Sequence, residues 1–593
     1  MPRLPSKIDL DGAYPVFLLE VQWDGELYRF SSYPVDLATS SGDSVHYIGG
    51  LEDPDMEEVI SDPGGDPEKN VLSLQLVFPV DLVQYLFEYG RTLDGALCEL
   101  SMVTDRSGEI LQVYEKRITL FSGEIVQPII GDPEKPIGHV SFSIERNPLN
   151  HPVPIIDEDK GIFRSGISIT TSRPLDGYFD GLAYPFVFGD PHDFVSETGF
   201  SVGTYILYAT PAFIVFRKND EGVSTPNRSY YDEFWLVIAG HQVEASTVTI
   251  TDYKGKGKAN CAVQTTITSE GKEISYVALQ FATFSPPNNP TETDGIFHPW
   301  MLASVIEPDW DGKTDQPRYY VSWENGGGFK NPYGSGALSG AGDLIRYFLN
   351  LTNSLIDNSS WANVSTFLNA WKFGGYIDDP KTKAFGWLVD NVLPFVPVHI
   401  VNGANGLRPV IPLIYLNDYK NPTLSITIGG SFQVSSPIQF TNDPDDIMNR
   451  LYLNYGYDLK NDSSRGFIKI SHTNDSGRFG AIISSVEIAA LSYSKYGDRY
   501  HELEAPFVYE SATATKIALF LIRKNALAKI QLDIEADFSY GWLQLGDLLQ
   551  LSSVDYYWYN LQAQIIGKIW DGGIWRFTLE IENNVIINPR SRS

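Results

Sequence analysis

The chain has 593 residues, which is too long for one hydrophobic core, so we expect about three to five domains. Its 44 Lys and Arg residues against 74 Asp and Glu residues give a net charge of −30, which argues against a surface that neutralises nucleic-acid phosphates. An acidic shell that favours solubility is the simpler interpretation. A negative wall past which a polyanion slides without sticking is the alternative.

Plentiful aromatic residues, with Gly and Pro spread along the whole chain, predict β structure with many turns. The two cysteines, Cys98 and Cys261, have no CxxC or Cys/His neighbours, which predicts buried thiols and excludes a disulfide framework. The amino terminus lacks the apolar core of a signal peptide. No window approaches about 18 apolar residues, so we expect no membrane-spanning segment.

Residues 1–150 are predicted to form a first β-barrel. Two strands flank Asp24-Gly25, a dipeptide typical of a tight hairpin. A third strand, a short helix and two further strands follow. A closing strand completes the segment, in which apolar and polar residues alternate from Val140 to Glu145.

The middle of the chain reads as insertions. Prolines and polar residues predict a linker over 151–200, and strand-rich runs predict an inserted β domain over 201–290. A mixed segment follows over 291–400, with a helical hairpin at 343–371 where apolar residues recur at helical spacing. Residues 401–470 are predicted to be a connecting β segment.

Residues 471–593 are predicted to form a second β-barrel. The run SATATKIALFLIRKNA, from Ser511, carries one apolar stripe at helical spacing. The period then changes to two, since apolar residues alternate with charged or amide residues from Ala528 to Ala536. Asp571-Gly572-Gly573 separates two further strands and predicts a hairpin.

The two ends of the chain share an order of elements: helix, strand, glycine-containing strand, hairpin, amphipathic strand. The local sequences FSGEIV at Gly123 and IIGKIW at Gly567 also match. We interpret this as a remote internal duplication. The alternative is that two unrelated small β-barrels share a common motif.

Catalytic motifs are missing from the sequence. The nine histidines form no HxH or HExxH spacing. His241 follows an apolar strand, and we predict that it is a packed turn residue and not a catalytic base. The KGKGK run from Lys254 to Lys258 lacks GxxxxGK[ST] and precedes no helix, so a solvated hairpin tip is the better interpretation.

Carboxylates are too numerous to identify an acid pair for glycoside hydrolysis. Asp309, Asp311 and Asp315 resemble part of a calcium loop, but the closing Glu of an EF-hand is missing. We therefore predict no enzyme activity, no catalytic or cofactor-binding residue, no cofactor and no established metal site.

A resemblance to a known family comes from the layout. AYPFVFGDP, ATPAF and LVIAGHQVEASTVTITD, between Tyr184 and Asp252, resemble the middle of tail hub proteins of long-tailed bacteriophages and gene transfer agents. LFSGEIVQPII at Leu120–Ile130 is similar to the first barrel of such hubs, and the SKYGDR, ATATKIA and LGDLL segments resemble their second barrel. GAGDLIRYFLN and GLRPVIPLIY fit the helical and connecting parts.

The resemblance implies a mainly β, multidomain fold: two tube-like antiparallel β-barrels from the amino- and carboxyl-terminal regions, with inserted β-rich and small α+β domains. It implies a homotrimer at the virion tail tip that joins a sixfold tail tube or distal tail protein to tip or fibre proteins. Genomic DNA would pass through without specific binding. Trp300, Trp310 and Trp323 could serve a tail partner or a carbohydrate, although core packing is the simpler role.

Two rival functions remain open at this stage. One is an acidic carbohydrate-active or carbohydrate-binding β protein. The other is a distal tail ring protein, which differs in being a hexamer with one barrel per chain.

Overall fold

The protein is mainly β, with several sheets and more than one domain, as the sequence predicts. The two tube-like barrels and the domain boundaries stay predictions. None of the described helices combines the length and apolar character that crossing a bilayer requires. The computed structural model describes residues 13–60, 71–79, 82–85, 92–131, 139–145, 152–157, 168–170, 173–174, 183–189, 210–219, 231–252, 258–268, 270–280, 319–323, 327–352, 354–403, 405–415, 422–441, 446–458, 463–472, 481–483, 487–556 and 558–581.

The amino-terminal region contributes ten strands to a 17-stranded sheet. The predicted first hairpin is confirmed: Asp24 and Gly25 both have positive φ, and Trp23 pairs directly with Glu26. The strands are β1 Ala13–Trp23, β2 Glu26–Ser31, β3 Val35–Ala38, β4 Ser44–Gly49, β5 Asp55–Val59, β6 Val71–Val77, β7 Leu97–Arg106, β8 Glu109–Ile110, β9 Ile118–Ile130 and β10 His139–Glu145.

The carboxyl-terminal region contributes the other seven strands of the same sheet. The predicted alternation is confirmed, since Ile530, Leu532 and Ile534 are buried, and the predicted last hairpin closes with Asp571 paired to Ile574. These strands are β23 Leu424–Thr427, β24 Phe432–Val434, β25 Gln439–Thr441, β30 Lys529–Asp537, β31 Leu548–Ser553, β32 Trp558–Asp571 and β33 Ile574–Ile581.

The middle region forms smaller sheets. Six strands, in the order β14-β15-β18-β17-β16-β19, close a barrel, and β26 to β29 form a four-stranded sheet. Three two-stranded pairs complete the set: β11 with β12, β13 with β20, and β21 with β22. The strands are β11 Ser168–Thr170, β12 Arg173–Pro174, β13 Phe186–Phe188, β14 Thr210–Asn219, β15 Tyr231–Ala239, β16 Thr247–Asp252, β17 Lys258–Ile267, β18 Glu273–Gln280, β19 Tyr319–Trp323, β20 Gly375–Ile377, β21 His399–Gly403, β22 Gly406–Val410, β26 Arg450–Asp458, β27 Ser463–Ile470, β28 Ala481–Ile483 and β29 Tyr500–Ala505.

The main helices are α1 Ala341–Leu351, α2 Asn358–Leu368, α3 Ala384–Asn391, α4 Glu487–Tyr496 and α5 Ser511–Asn525. The predicted helical hairpin is present, since α1 packs against α2. The Asp357 carboxylate caps α2 by accepting the Ser360 N–H at 3.0 Å. Short 3₁₀ turns lie at Tyr114–Lys116, Leu393–Phe395 and Phe538–Tyr540.

Two large cores organise these elements. One lies within the 17-stranded sheet and mixes residues from both ends of the chain, such as Phe17 and Phe577. The other joins the helices to the four-stranded sheet. Helix α5 belongs to this second core, where Ile517 and Phe520 are buried and the helix packs on β26 and β27. The apolar stripe of α5 is therefore covered by the four-stranded sheet and not by the strands that follow the helix in sequence.

The two ends of the chain repeat one strand order. The amino-terminal unit, β7-β9-β10-β6, and the carboxyl-terminal unit, β31-β32-β33-β30, have the same antiparallel pairings. The rung Leu72, Ile144, Ile125 in the first corresponds to the rung Leu532, Leu579, Ile565 in the second. All six side chains of these two rungs are buried.

This repeat corrects two details of the sequence match. The short amino-terminal helix follows β6, whereas α5 precedes β30, so the two helices are not equivalent. Gly123, opposite Cys98, corresponds to Ala563, opposite Leu549, and not to Gly567. The glycine motifs therefore match in letters but lie four residues out of register.

Candidate assembly interface

Strand β5 joins the two units. It runs antiparallel to β32, with Glu57 opposite Ile569, Glu58 opposite Lys568, and Val59 opposite Gly567. Among the described strands, this is the pairing that connects the amino-terminal part of the large sheet to the carboxyl-terminal part. Two units that are separated in sequence by the residues between Glu145 and Lys529 therefore lie side by side.

A buried acid and a buried base lie opposite each other at this junction. The Glu58 and Lys568 side chains face each other across the two strands and are 5% and 2% exposed. Burial raises the pKa of Glu58, and the positive charges of Lys568 and Arg408 oppose that shift. Burial likewise lowers the pKa of Lys568, against the negative charges of Glu58 and Asp547. Each charge is therefore compensated by an opposite one, which buried charges require.

The Lys568 ammonium is also held by neutral groups. Its Nζ donates to the Gly541 carbonyl at 2.8 Å and lies 4.4 Å from the centre of the Trp575 ring. A carbonyl and an aromatic face both favour a cation in a place with little water. The amine is thus held by Gly541 and Trp575, on the strand that lies opposite Glu58.

Arg408 and Asp547 extend the junction into a four-charge cluster. Arg408, from β22, is partly buried and donates from Nη2 to the Leu545 carbonyl, and desolvation lowers its pKa against the attraction of Asp547 and Glu58. Asp547 accepts the Gln544 N–H at 3.0 Å. Two acids and two bases give the cluster no formal net charge.

The loop that carries Asp547 requires glycine. Gly546 has φ of +79°, and a Cβ there would lie 2.4 Å from Cγ1 of Val410. Its N–H donates to the Ile565 carbonyl at 2.7 Å. Gly95 occupies the equivalent position, with φ of +80° and a 2.8 Å bond to Ile125, but nothing lies within 4 Å of its would-be Cβ. The same turn is therefore tightly packed in one unit and open in the other.

A β-bulge explains why Lys568 faces inward. In β32 the register to β33 shifts between Ile565 and Gly567, so Ile566 is an extra residue. Leu561, Ala563 and Ile565 are buried before the bulge, and the buried positions after it include Lys568 and Trp570. Sequence reasoning missed Glu58 and Lys568 because a charged residue in an alternating strand normally faces solvent.

The histidine singled out from sequence is structural. His241 is buried, Nε2 accepts the Val187 N–H at 3.0 Å, and Nδ1 donates to the Gln242 carbonyl at 3.0 Å. Those partners define a neutral ring, and burial lowers its pKa to about 4. Phe186 and Phe329 pack on it with ring centres 5.1 and 5.0 Å away. The arrangement holds β13 against the end of β15.

The other sequence candidates do not meet at a site. Trp323 lies in β19 and is fully buried, as its packing role predicts. Cys98 is buried and forms no disulfide, and its thiol donates to the Gly123 carbonyl at 3.5 Å. Within the described part of the chain, no three His, Cys, Asp or Glu side chains converge as a metal site requires. Lys254, Trp300, Trp310, Asp309, Asp311 and Asp315 lie outside the described residues.

A polar cavity of about 570 Å³ lies at the start of α1. Asp343 in its wall accepts from the amide nitrogens of Asn331 at 2.8 Å and Asn369 at 2.9 Å. Arg346 stacks 4.0 Å from the centre of the Tyr333 ring. The acid already holds two amide donors, and among the described lining residues the aromatic ring, Tyr333, is covered by a guanidinium. The cavity therefore offers little for either acid catalysis or sugar stacking.

Comparisons with known proteins give neither a family nor a curated relative. No protein-family model matches the chain, and no curated protein matches it. Weak likenesses to solved structures exist. The tail protein from Neisseria meningitidis MC58 has a TM-score of 0.35 at 8% identity and covers 95% of this chain and 96% of its own.

Two further structures are similar at the same level. The prophage MuSo2 43 kDa tail protein from Shewanella oneidensis has a TM-score of 0.30 at 8% identity, over 96% of this chain and 99% of that one. A chain of the native gene transfer agent virion has a TM-score of 0.36 at 9% identity, and the match covers 74% of this chain and 90% of that one. These scores are too low to establish a common fold, so the function is argued from this chain's own geometry.

Proposed function

We propose that the protein is a structural, non-enzymatic virion component, a tail-tip or baseplate hub that forms a ring as a homotrimer. The supporting observation is the repeat: two units with the same strand order and register lie side by side within one chain. Three copies then present six nearly equivalent units. Six units match the symmetry of a sixfold tail tube. A protein with a single unit per chain would need six copies to give the same match.

The ring joins the tail tube or a distal tail protein on one side to tip or fibre proteins on the other. It is assembled in the cytoplasm of the host bacterium and resides in the virion. The resemblance to tail hubs supports these partners. Two units in one chain favour this role over a distal tail ring protein, which has one barrel in each of six chains.

The acidic composition suits a channel for DNA. A net charge of −30 repels phosphates, and weak contact allows fast passage during ejection. DNA would touch the wall without specific binding. An electrostatic map of the assembled ring with a neutral or basic lumen would contradict this part of the proposal.

Mass measurement by light scattering, followed by electron microscopy of particles labelled with an antibody to this chain, tests the proposal. We expect a discrete trimer and label at the tail tip. A monomer that binds or degrades a polysaccharide would support the carbohydrate rival instead. A hexamer would support the distal tail ring protein.

A further inference from the structure

The internal repeat contains two equivalent pairs of strand edges. One pair is joined within the chain, which we call the made joint, and the other pair is not joined, which we call the open joint. In the made joint, β5 lies along the free edge of β32. The strand equivalent to β5 in the carboxyl-terminal unit is β25. Glu57 of β5 pairs with Val71, and Gln439 of β25 pairs with Gln531. Val71 and Gln531 are equivalent positions, because each directly precedes one of the two equivalent leucines, Leu72 and Leu532. The strand equivalent to β32 is β9, because Ile125 corresponds to Ile565.

This correspondence fixes positions within the two joints. Counting along β25, Phe440 takes the place of Glu58. Counting along β9 from Ile125, Pro128 takes the place of Lys568, and Ile130 takes that of Trp570. The positions of the buried Glu58 and Lys568 in the joint between β5 and β32 are therefore occupied by apolar residues in β25 and β9.

Among the described residues, no strand pairs with either of the equivalent edges, although β21 packs near β9. Strand β9 hydrogen-bonds to the β7 side only as far as Ile125, and β25 pairs with β30 alone. Phe440 is 62% exposed although it lies opposite the fully buried Ile530. Ile129 and Ile130, at the end of β9, are 64% and 37% exposed. Unpaired strand edges with exposed apolar residues can accept a strand of another chain.

We propose that β25 of one copy adds antiparallel to β9 of the next copy, which repeats in trans the joint that β5 and β32 make in cis. Gln439 then lies opposite the next copy's Ile129, and Phe440 lies opposite its Pro128. Phe440 and Ile130 meet on the inner face, where Glu58 and Trp570 lie in the made joint. The inference rests on the proposed ring and names the surfaces that close it.

The contact is heterologous, since each copy offers β25 and receives with β9. Such contacts give closed rings when the rotation between copies is suitable. Pro128 cannot donate the hydrogen bond that an amide at that position would, so this ladder has one bond fewer than the cis joint. A proline on the edge also limits pairing with unrelated strands.

Cysteine cross-linking tests the register. Gln439→Cys and Ile129→Cys stand at the positions of Glu57 and Ile569, a pair that faces across the strands on one side of the sheet. We expect the double variant to oxidise to a covalent trimer on a denaturing gel. An equal mixture of the two single variants should give a linked dimer, which proves that the bond joins different copies.

Two controls define the result. Gln439→Cys with Ile130→Cys places the thiols on opposite faces, so it should not link, since a shift of one residue reverses the side chain. The parent protein, which keeps Cys98 and Cys261, gives the background. Equal linking by the shifted pair would overturn the proposed register.

A substitution tests the apolar contact. Phe440→Asp should raise the dissociation constant of the assembly about tenfold or more, because it places a charge in a buried edge. Val554→Asp is the matched control, since Val554 is 79% exposed at the β31–β32 turn and takes no part in either edge. Both variants should keep the parent's circular dichroism spectrum and melting temperature.

The outcomes separate this inference from the proposed function. A trimer that neither cross-links nor responds to Phe440→Asp contradicts the strand pairing and leaves the hub intact. A chain that stays monomeric at all concentrations contradicts both. Cross-linked trimers of a protein that is missing from virions support the pairing and contradict the tail role.

Discussion

The amino-terminal and carboxyl-terminal units share a strand order but differ at their edges. Both have a buried apolar rung and a glycine turn that bonds back to the same rung. At the outer edge of β32 the second unit has Lys568, where the first has Pro128 in β9. Apolar alternation therefore sets the common topology, and the edge residues decide what each unit joins.

The difference at the edges also disfavours pairing of either strand with the wrong edge. Strand β25 placed against β32 would put Phe440 opposite Lys568 and leave a buried ammonium without its carboxylate. Strand β5 placed against β9 would put Glu58 opposite Pro128. Buried charges without partners are costly, so the cluster separates the cis joint from its apolar counterpart.

Removing Lys568 should have the largest effect on this comparison. Lys568→Met removes the positive charge that lies opposite the buried Glu58. We expect the free energy of unfolding to fall by about 3–5 kcal/mol. Urea denaturation measures it. Glu58→Gln combined with Lys568→Met should recover most of the loss, because both charges are then gone. A loss below about 1 kcal/mol for the single variant would mean that the two opposed charges do not stabilise the joint.

Acid should loosen the molecule outside both units, at His241. Its folded pKa of about 4 is below the ordinary 6.5, so between these values the unfolded chain binds a proton that the folded chain does not. Stability is therefore present above pH 6.5 and is lost as the pH falls toward 4, by about 3 kcal/mol. His241→Gln should remove this part of the pH dependence in denaturation curves recorded at several pH values. An unchanged slope would contradict it.

The two equivalent glycines should differ in their tolerance of a methyl group. Gly546→Ala meets both a positive φ and Val410 at 2.4 Å, whereas Gly95→Ala meets the positive φ alone. We expect the first to cost about 2–3 kcal/mol and the second about 1 kcal/mol, measured by thermal unfolding. Equal costs would show that the Val410 contact relaxes freely.

The outer faces of the units should matter least. Oε1 of Glu535, in β30, lies 3.4 Å from Nη2 of Arg576, and both side chains are about a third exposed. The residue of the amino-terminal unit that is equivalent to Glu535 is Gln75. Glu535→Gln copies that residue and should change stability by less than about 0.5 kcal/mol, because exposed ion pairs contribute little. A larger loss in chemical denaturation would mark this face as part of the joint.

Much of the local structure was determined by the sequence. Alternation over Ala528–Ala536 predicted β30, and the Asp24-Gly25 and Asp571-Gly572-Gly573 turns predicted hairpins that the structure confirms. Helical spacing predicted α1, α2 and α5. These features depend on neighbouring residues alone, since side-chain period and turn conformation are properties of a few consecutive positions.

Tertiary structure decided which pieces meet. The stripe on α5 is covered by β26 and β27 and not by the next strand, and the bulge at Ile566 turns Lys568 inward to meet Glu58. An apolar stripe specifies that it will be covered but not by what, and one extra residue in a strand reverses every face beyond it. Pairing between strands hundreds of residues apart is selected by the whole core, which is why the joint could be located only in the folded chain.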